Sequence, residues 1–257
     1  MRELRILRRA STSSVDHGWD RLYRIGGVCF ILIGIWYVFA NFWSLIEGIP
    51  GPGFATPPVA TSAQYFNILA NYPNASAIFY SGYSATDFLL FPAILALYFA
   101  LKGVGKNITI VAVALAAVWG VMDLGVTEFN SLVLVSLAQS YNAATDATTK
   151  AAYLAASNYA LGAIPIATFY SYFIGSLAFL LVSLVMFRGV FRFITAPVGI
   201  VANALGIVVA FVLFDPADLR NLIVPTLMIY GFWNILVGAQ LYRLGHTKDP
   251  SQYESSS

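Results

Sequence analysis

The chain has 257 residues, of which 59% are hydrophobic and only 10% charged, with a formal net charge of +2. A soluble domain carries about 25% charged residues to keep its surface hydrated, so this composition excludes a water-soluble globule. The apolar residues fall in long blocks rather than in alternating or amphipathic order, which is the pattern of an all-α polytopic membrane bundle.

Residues 1–24 form a polar, arginine-rich segment that is read as retained rather than cleaved: serines follow Arg8-Arg9, and the first apolar block is too long for a signal-peptide core. A helix of about 20 apolar residues crosses roughly 30 Å of hydrocarbon. Blocks of that kind lie at 25–47, 77–101, 108–127, 165–187, 193–213 and 221–241, predicting six transmembrane helices. Charged or turn-forming stretches separate the closely spaced ones: KGVGKN at 102–107, RGVFR at 188–192 and FDPADLR at 214–220. The outer end of the third block is soft, because apolar sequence continues to Tyr141.

Lysine and arginine set the orientation. Arg2, Arg5, Arg8, Arg9, Arg21 and Arg24 precede the first block, and Lys102, Lys106, Arg188, Arg192, Arg243 and Lys248 fall on the same side of the predicted bundle. Only Lys150 and Arg220 fall opposite. The positive-inside rule then puts both termini in the cytoplasm. Two segments project outside, 48–76 and 128–164. The first opens on glycines and prolines, then changes at Thr61 to an interfacial helix with Tyr65, Ile68, Leu69 and Tyr72 at helical spacing; the second is a helical hairpin turning near 141–148. A polar tail, 242–257, closes the chain. Phe79-Tyr80-Ser81 and Phe169-Tyr170-Ser171 recur 90 residues apart, but the surrounding identities are too sparse to define a repeat.

Several chemistries lack their residues. Cys29 is the single cysteine, and His17 and His246 lie in polar tails, which disfavours haem, zinc and copper centres and a serine–histidine triad within the membrane. The basic residues follow topology rather than forming a nucleic-acid patch. No HExxH, phosphate-binding loop or aspartate-rich diphosphate motif occurs.

What remains is polar groups inside the spans, where ionisable residues are costly and point to function. Asp87 sits near the middle of the second span with no lysine or arginine in any span to pair with it, so it must be protonated, hydrated or bound to a cation. Tyr80, Tyr83 and Ser84 share its helical stripe. Asp123 and Thr127 lie in the third span with Glu128 at its outer, water-facing edge; Tyr170 and Tyr172, Asn203 and Asn234 follow in the last three spans. Most of these map to the outer half, where a polar cavity holding a proton or cation would gather them. Asn203 and Asn234 equally suit hydrogen bonding between helices, and Gly26, Gly34, Gly120, Gly175, Gly199, Gly206, Gly231 and Gly238 suit close packing.

The segments TKAAYLAASNYALG, FYSYFIGSLAFLLVSLVMFRGVFRFITAPVGIVANALGIV and ILVGAQLYRLGH, within residues 149–246, resemble an uncharacterised family of bacterial and archaeal six-helix membrane proteins, a domain of unknown function. The resemblance implies the six-helix architecture and a prokaryotic cytoplasmic membrane, and supplies no catalytic residues. Three functions fit the sequence: a non-enzymatic carrier or sensor of a small solute coupled to a proton or cation; a structural subunit packing against other membrane proteins; and an intramembrane enzyme acting on lipid through Asp87, Asp123 and Glu128. The first accounts for the most residues.

Overall fold

The computed structural model describes residues 17–47, 66, 69–212 and 222–246, and among these the chain is helical with no strands. A short 3-10 turn, His17–Trp19, leads into α1 (Asp20–Glu47). Helix α2 (Pro73–Met122) runs through a π turn, Asp123–Glu128, into α3 (Phe129–Ala143). Helices α4 (Ala147–Met186), α5 (Thr195–Val212) and α6 (Ile223–Leu244) complete the bundle. The expected N-terminal arginine segment up to residue 16, the 214–220 connection, the tail from 247 and most of the interfacial helix lie outside the described residues.

Four helical stretches are long and apolar enough to cross a membrane: Asp20–Trp43, Pro73–Ala143, Ala147–Met186 and Ile223–Leu244. Thr195–Phe211 is equally apolar but shorter. The 71-residue stretch is not a rod. Gly105, inside the KGVGKN sequence, leaves the helical region at φ −160° and ψ 64°. Fifteen residues either side of it the chain meets itself, a Cβ at Gly120 falling 3.1 Å from Leu90 and 3.6 Å from Phe91. Two antiparallel arms therefore replace the loop expected at 102–107.

The same fold-back recurs at the other turns. Trp119 bonds to Ser171 across the α3–α4 turn, where Asp146 caps α4 by accepting the Thr149 amide at 2.8 Å. Gly199 packs on Ser183, and Gly206 on Ser176, about the turn at 187–194. Between α1 and α6 the contact is backbone on backbone. A Cβ at Gly27 would stand 2.6 Å from the Tyr242 nitrogen and 2.7 Å from the Gly238 carbonyl, and Gly34 faces Gly231 in the same way.

These small residues are spaced by seven on all four helices: 27 and 34, 231 and 238, 176 and 183, 199 and 206. A seven-residue period keeps one stripe facing its neighbour only if the helices coil left-handedly. In lipid, where burial of apolar surface gives little net drive, that close backbone approach is what holds helices together. All eight glycines singled out from the sequence are close contacts, Gly26, Gly34, Gly231 and Gly238 against backbone and Gly120, Gly175, Gly199 and Gly206 against side chains. The two Phe-Tyr-Ser segments are not equivalent: Tyr80 is buried and Ser81 exposed, whereas Tyr170 is exposed and Ser171 buried.

Candidate functional site

The sequence DLGVTE from Asp123 to Glu128 is wound as a π turn, closed where the Phe129 amide donates to the Leu124 carbonyl five residues back. On an α-helix, residues five apart point about 140° away from each other. A π turn, bonded i to i+5, brings them to one face. Asp123, Thr127 and Glu128 consequently all line one cavity of about 70 Å³. Glu128 is therefore not at a water-facing edge as expected from α-helical spacing; it is 1% exposed.

Helix α4 forms the opposite wall. Thr168, Ser171, Tyr172, Gly175 and Ser176 make a small, polar stripe along it, and all five line the cavity. Trp119 donates its indole N–H to the Ser171 oxygen at 2.7 Å. Ser171 in turn donates to Asp123 Oδ1 at 2.9 Å. An indole N–H only donates, which leaves the serine hydrogen for the carboxyl. Gly175 makes room for the indole, since a Cβ there would lie 2.8 Å from it.

Tyr37 of α1, Tyr83 of α2 and Tyr230 of α6 close the remaining sides, with Ala202 and Gly206 of α5 between α4 and α6. The Tyr37 ring meets Tyr83 edge-to-face at 5.4 Å and Tyr230 at 5.3 Å. Phe179 packs on both Tyr230 and Trp119, at 6.1 and 5.7 Å. Edge-to-face rings fix one another's orientation, so the cavity is enclosed by a stiff aromatic frame.

Asp87 sits midway between Pro73 and Leu101, about 21 Å of helix from either, and is buried without itself lining the cavity. It lies within electrostatic range of Asp123, as does Glu128 of both aspartates. Among the described residues, no lysine, arginine or histidine lines the cavity. Asp87 Oδ2, Glu128 Oε2 and Thr168 Oγ1 are buried with no hydrogen-bond partner among the described residues. Burying a charge without a partner costs several kcal/mol or more. Each carboxyl here is thus protonated, hydrated or matched to a cation. A resident metal has little to hold it: no group of three or more His, Cys, Asp or Glu side chains close enough to bind an ion occurs among the described residues.

The other residues expected at the site lie elsewhere. Ser84 donates to the Tyr80 carbonyl at 3.1 Å and borders an apolar surface groove with Phe88 and Phe129. Tyr80 is in the core against Phe79. Tyr170 is 47% exposed, on the opposite side of α4 from the cavity stripe. Asn203 and Asn234 donate back to their own helices, to the Gly199 and Tyr230 carbonyls at 2.7 and 2.8 Å. Tyr37, Trp119, Ser171 and Tyr230, none of them expected, complete the cavity instead.

No protein-family model, curated protein or solved structure matches the chain.

Proposed function

We propose that this is an integral membrane protein of six crossings with both termini cytoplasmic, a non-enzymatic carrier or sensor that binds a small solute together with a proton or cation in the cavity beside Asp123 and Glu128. The observation that carries this reading is that Asp123 and Glu128 line one cavity with Asp87 buried nearby, with unpartnered oxygens on Asp87 and Glu128 and no cationic residue lining the cavity among the described residues. An uncompensated group of this kind is neutralised by protons or cations, whose exchange is what a coupled carrier or sensor uses. On the topology expected from the basic residues, most cavity residues fall in the outer half of their spans, which favours loading from the exterior.

The test is flux in liposomes reconstituted with the full chain under an imposed pH gradient. Wild type is expected to move protons with a solute or cation, and both Asp87→Asn and Glu128→Gln to slow that movement at least about tenfold, roughly 1.4 kcal/mol. Measurable flux at equal rates in wild type and both variants would sink the proposal. A sensor differs in showing no flux but a solute-dependent gain in thermal stability that the same variants abolish.

A further inference from the structure

We infer that the solute is a small organic cation, an ammonium or methylated ammonium head group of a few heavy atoms, held between the aromatic frame and the Glu128 carboxylate. This deepens the function proposed above and depends on it for the identity of the site.

Charge is the first argument. Glu128 is 1% exposed, and among the described residues its Oε2 has no partner and the cavity it lines has no lysine, arginine or histidine. A neutral solute leaves that oxygen unmatched unless it donates to it, whereas a cation satisfies it directly.

Aromatic lining is the second. Tyr37, Tyr83, Tyr172, Tyr230 and Trp119 border one space. Ring faces attract cations electrostatically, most effectively weakly hydrated ones such as methylated ammonium groups. A hard cation would instead seek six or more oxygens in its shell. Here one Asp123 oxygen is already taken by Ser171, and the described residues offer no cluster of three acidic or other metal-binding side chains.

Size is the third. The cavity, about 70 Å³, exceeds the roughly 10–15 Å³ that admits one water and falls well short of the roughly 300–1,000 Å³ of sites for drug-sized ligands. It suits a head group alone.

The experiment is titration calorimetry on the full-length protein in lipid nanodiscs with methylammonium, tetramethylammonium and sodium chlorides at constant ionic strength. At least one ammonium salt is expected to bind saturably and sodium not to. Glu128→Gln should weaken that binding about tenfold or more. Tyr230→Leu should weaken it by about three- to thirtyfold, and Tyr230→Phe by less, because the ring face remains. Circular dichroism and elution volume matching wild type establish that each variant is folded. Absence of ammonium binding, or undiminished binding by Glu128→Gln, overturns the inference. If pH-driven flux sensitive to Asp87 and Glu128 persists without ammonium binding, only the organic-cation assignment fails. If neither flux nor binding is seen, both proposals fail.

Discussion

Glu128 shares a cavity wall with Asp123 because the helix between them gains a residue: the Phe129 amide reaches back to Leu124, and the π turn rotates Glu128 inward. A π turn is equivalent to one residue inserted into an α-helix, which gives it an unusual response to deletion. Removing Gly125, around which an added Cβ would meet nothing within 4 Å, leaves Asp123 and Glu128 four apart on a regular α-helix, still on one face, with α3 in register. Removing exposed Val118 from the regular helix instead turns everything after it by about 100°. Thermal unfolding of the purified variants is expected to place the Gly125 deletion within about 1 kcal/mol of wild type and the Val118 deletion several kcal/mol below it. Equal damage from both would mean that the turn is not π-wound.

The α1–α6 seam makes a second prediction. Gly238 faces the Gly27 carbonyl and Ile31, with a Cβ already 2.8 Å from the Ile31 nitrogen. Gly238→Val drives three carbons into backbone and should cost about 1–3 kcal/mol or more, as overpacking does. Gly162 on α4 has nothing within 4 Å of its Cβ. Gly162→Ala should therefore be neutral or stabilising by up to about 1 kcal/mol from helix propensity alone. Denaturant titration in detergent distinguishes these outcomes, and a Gly238→Val variant as stable as wild type would remove the seam from the account.

Much of this bundle is written in local sequence. KGVGKN supplies the fold-back at Gly105, and glycines at 34, 231 and 238 announce close packing because no other residue lets two backbones approach so nearly. The site was legible only in part. Asp123 stands out as an acid in an apolar span, but its alignment with Glu128 depends on a winding that helical periodicity assumes away. Tyr170 and Tyr172 are indistinguishable as tyrosines, and only the packing of α4 decides that the second faces the cavity. Trp119 looks like any membrane tryptophan until Ser171, 52 residues away, accepts its N–H. The one overlooked local signal was the stripe Thr168, Ser171, Tyr172, Gly175 and Ser176, small and polar at spacings of three and four within apolar sequence.

The Trp119–Ser171–Asp123 relay predicts coupled losses. Ser171→Ala strips the indole of its acceptor and Asp123 Oδ1 of its donor in one step. Each buried polar group left unmatched costs about 1–3 kcal/mol. Trp119→Phe removes only the donor, so Ser171 keeps its bond to Asp123 and the ring keeps its place beside Gly175. In a double-mutant cycle on thermal stability, the Trp119→Phe penalty should shrink by at least about 0.5 kcal/mol once Ser171 is alanine. Strict additivity would show that the two side chains do not act as a unit.

Asp146 gives the fold a pH dependence outside the membrane-spanning segments. Its carboxylate accepts the Thr149 amide as the cap of α4, and that bond, with the Thr149 hydroxyl, lowers its pKa below the usual value. A depressed acid stabilises the folded state above its unfolded pKa, about 3.9 for aspartate, and the contribution is lost as pH falls through the lower folded value. The Thr149 amide should therefore be most protected from hydrogen exchange near neutral pH and lose protection below about pH 4, after correction for the intrinsic exchange rate. Asparagine caps a helix about as well as aspartate without titrating, so Asp146→Asn should keep the protection and flatten its pH dependence, whereas Asp146→Ala should lose protection at every pH. Equal protection of the Thr149 amide in wild type and Asp146→Ala at pH 6 would show that the cap does not hold this end of α4.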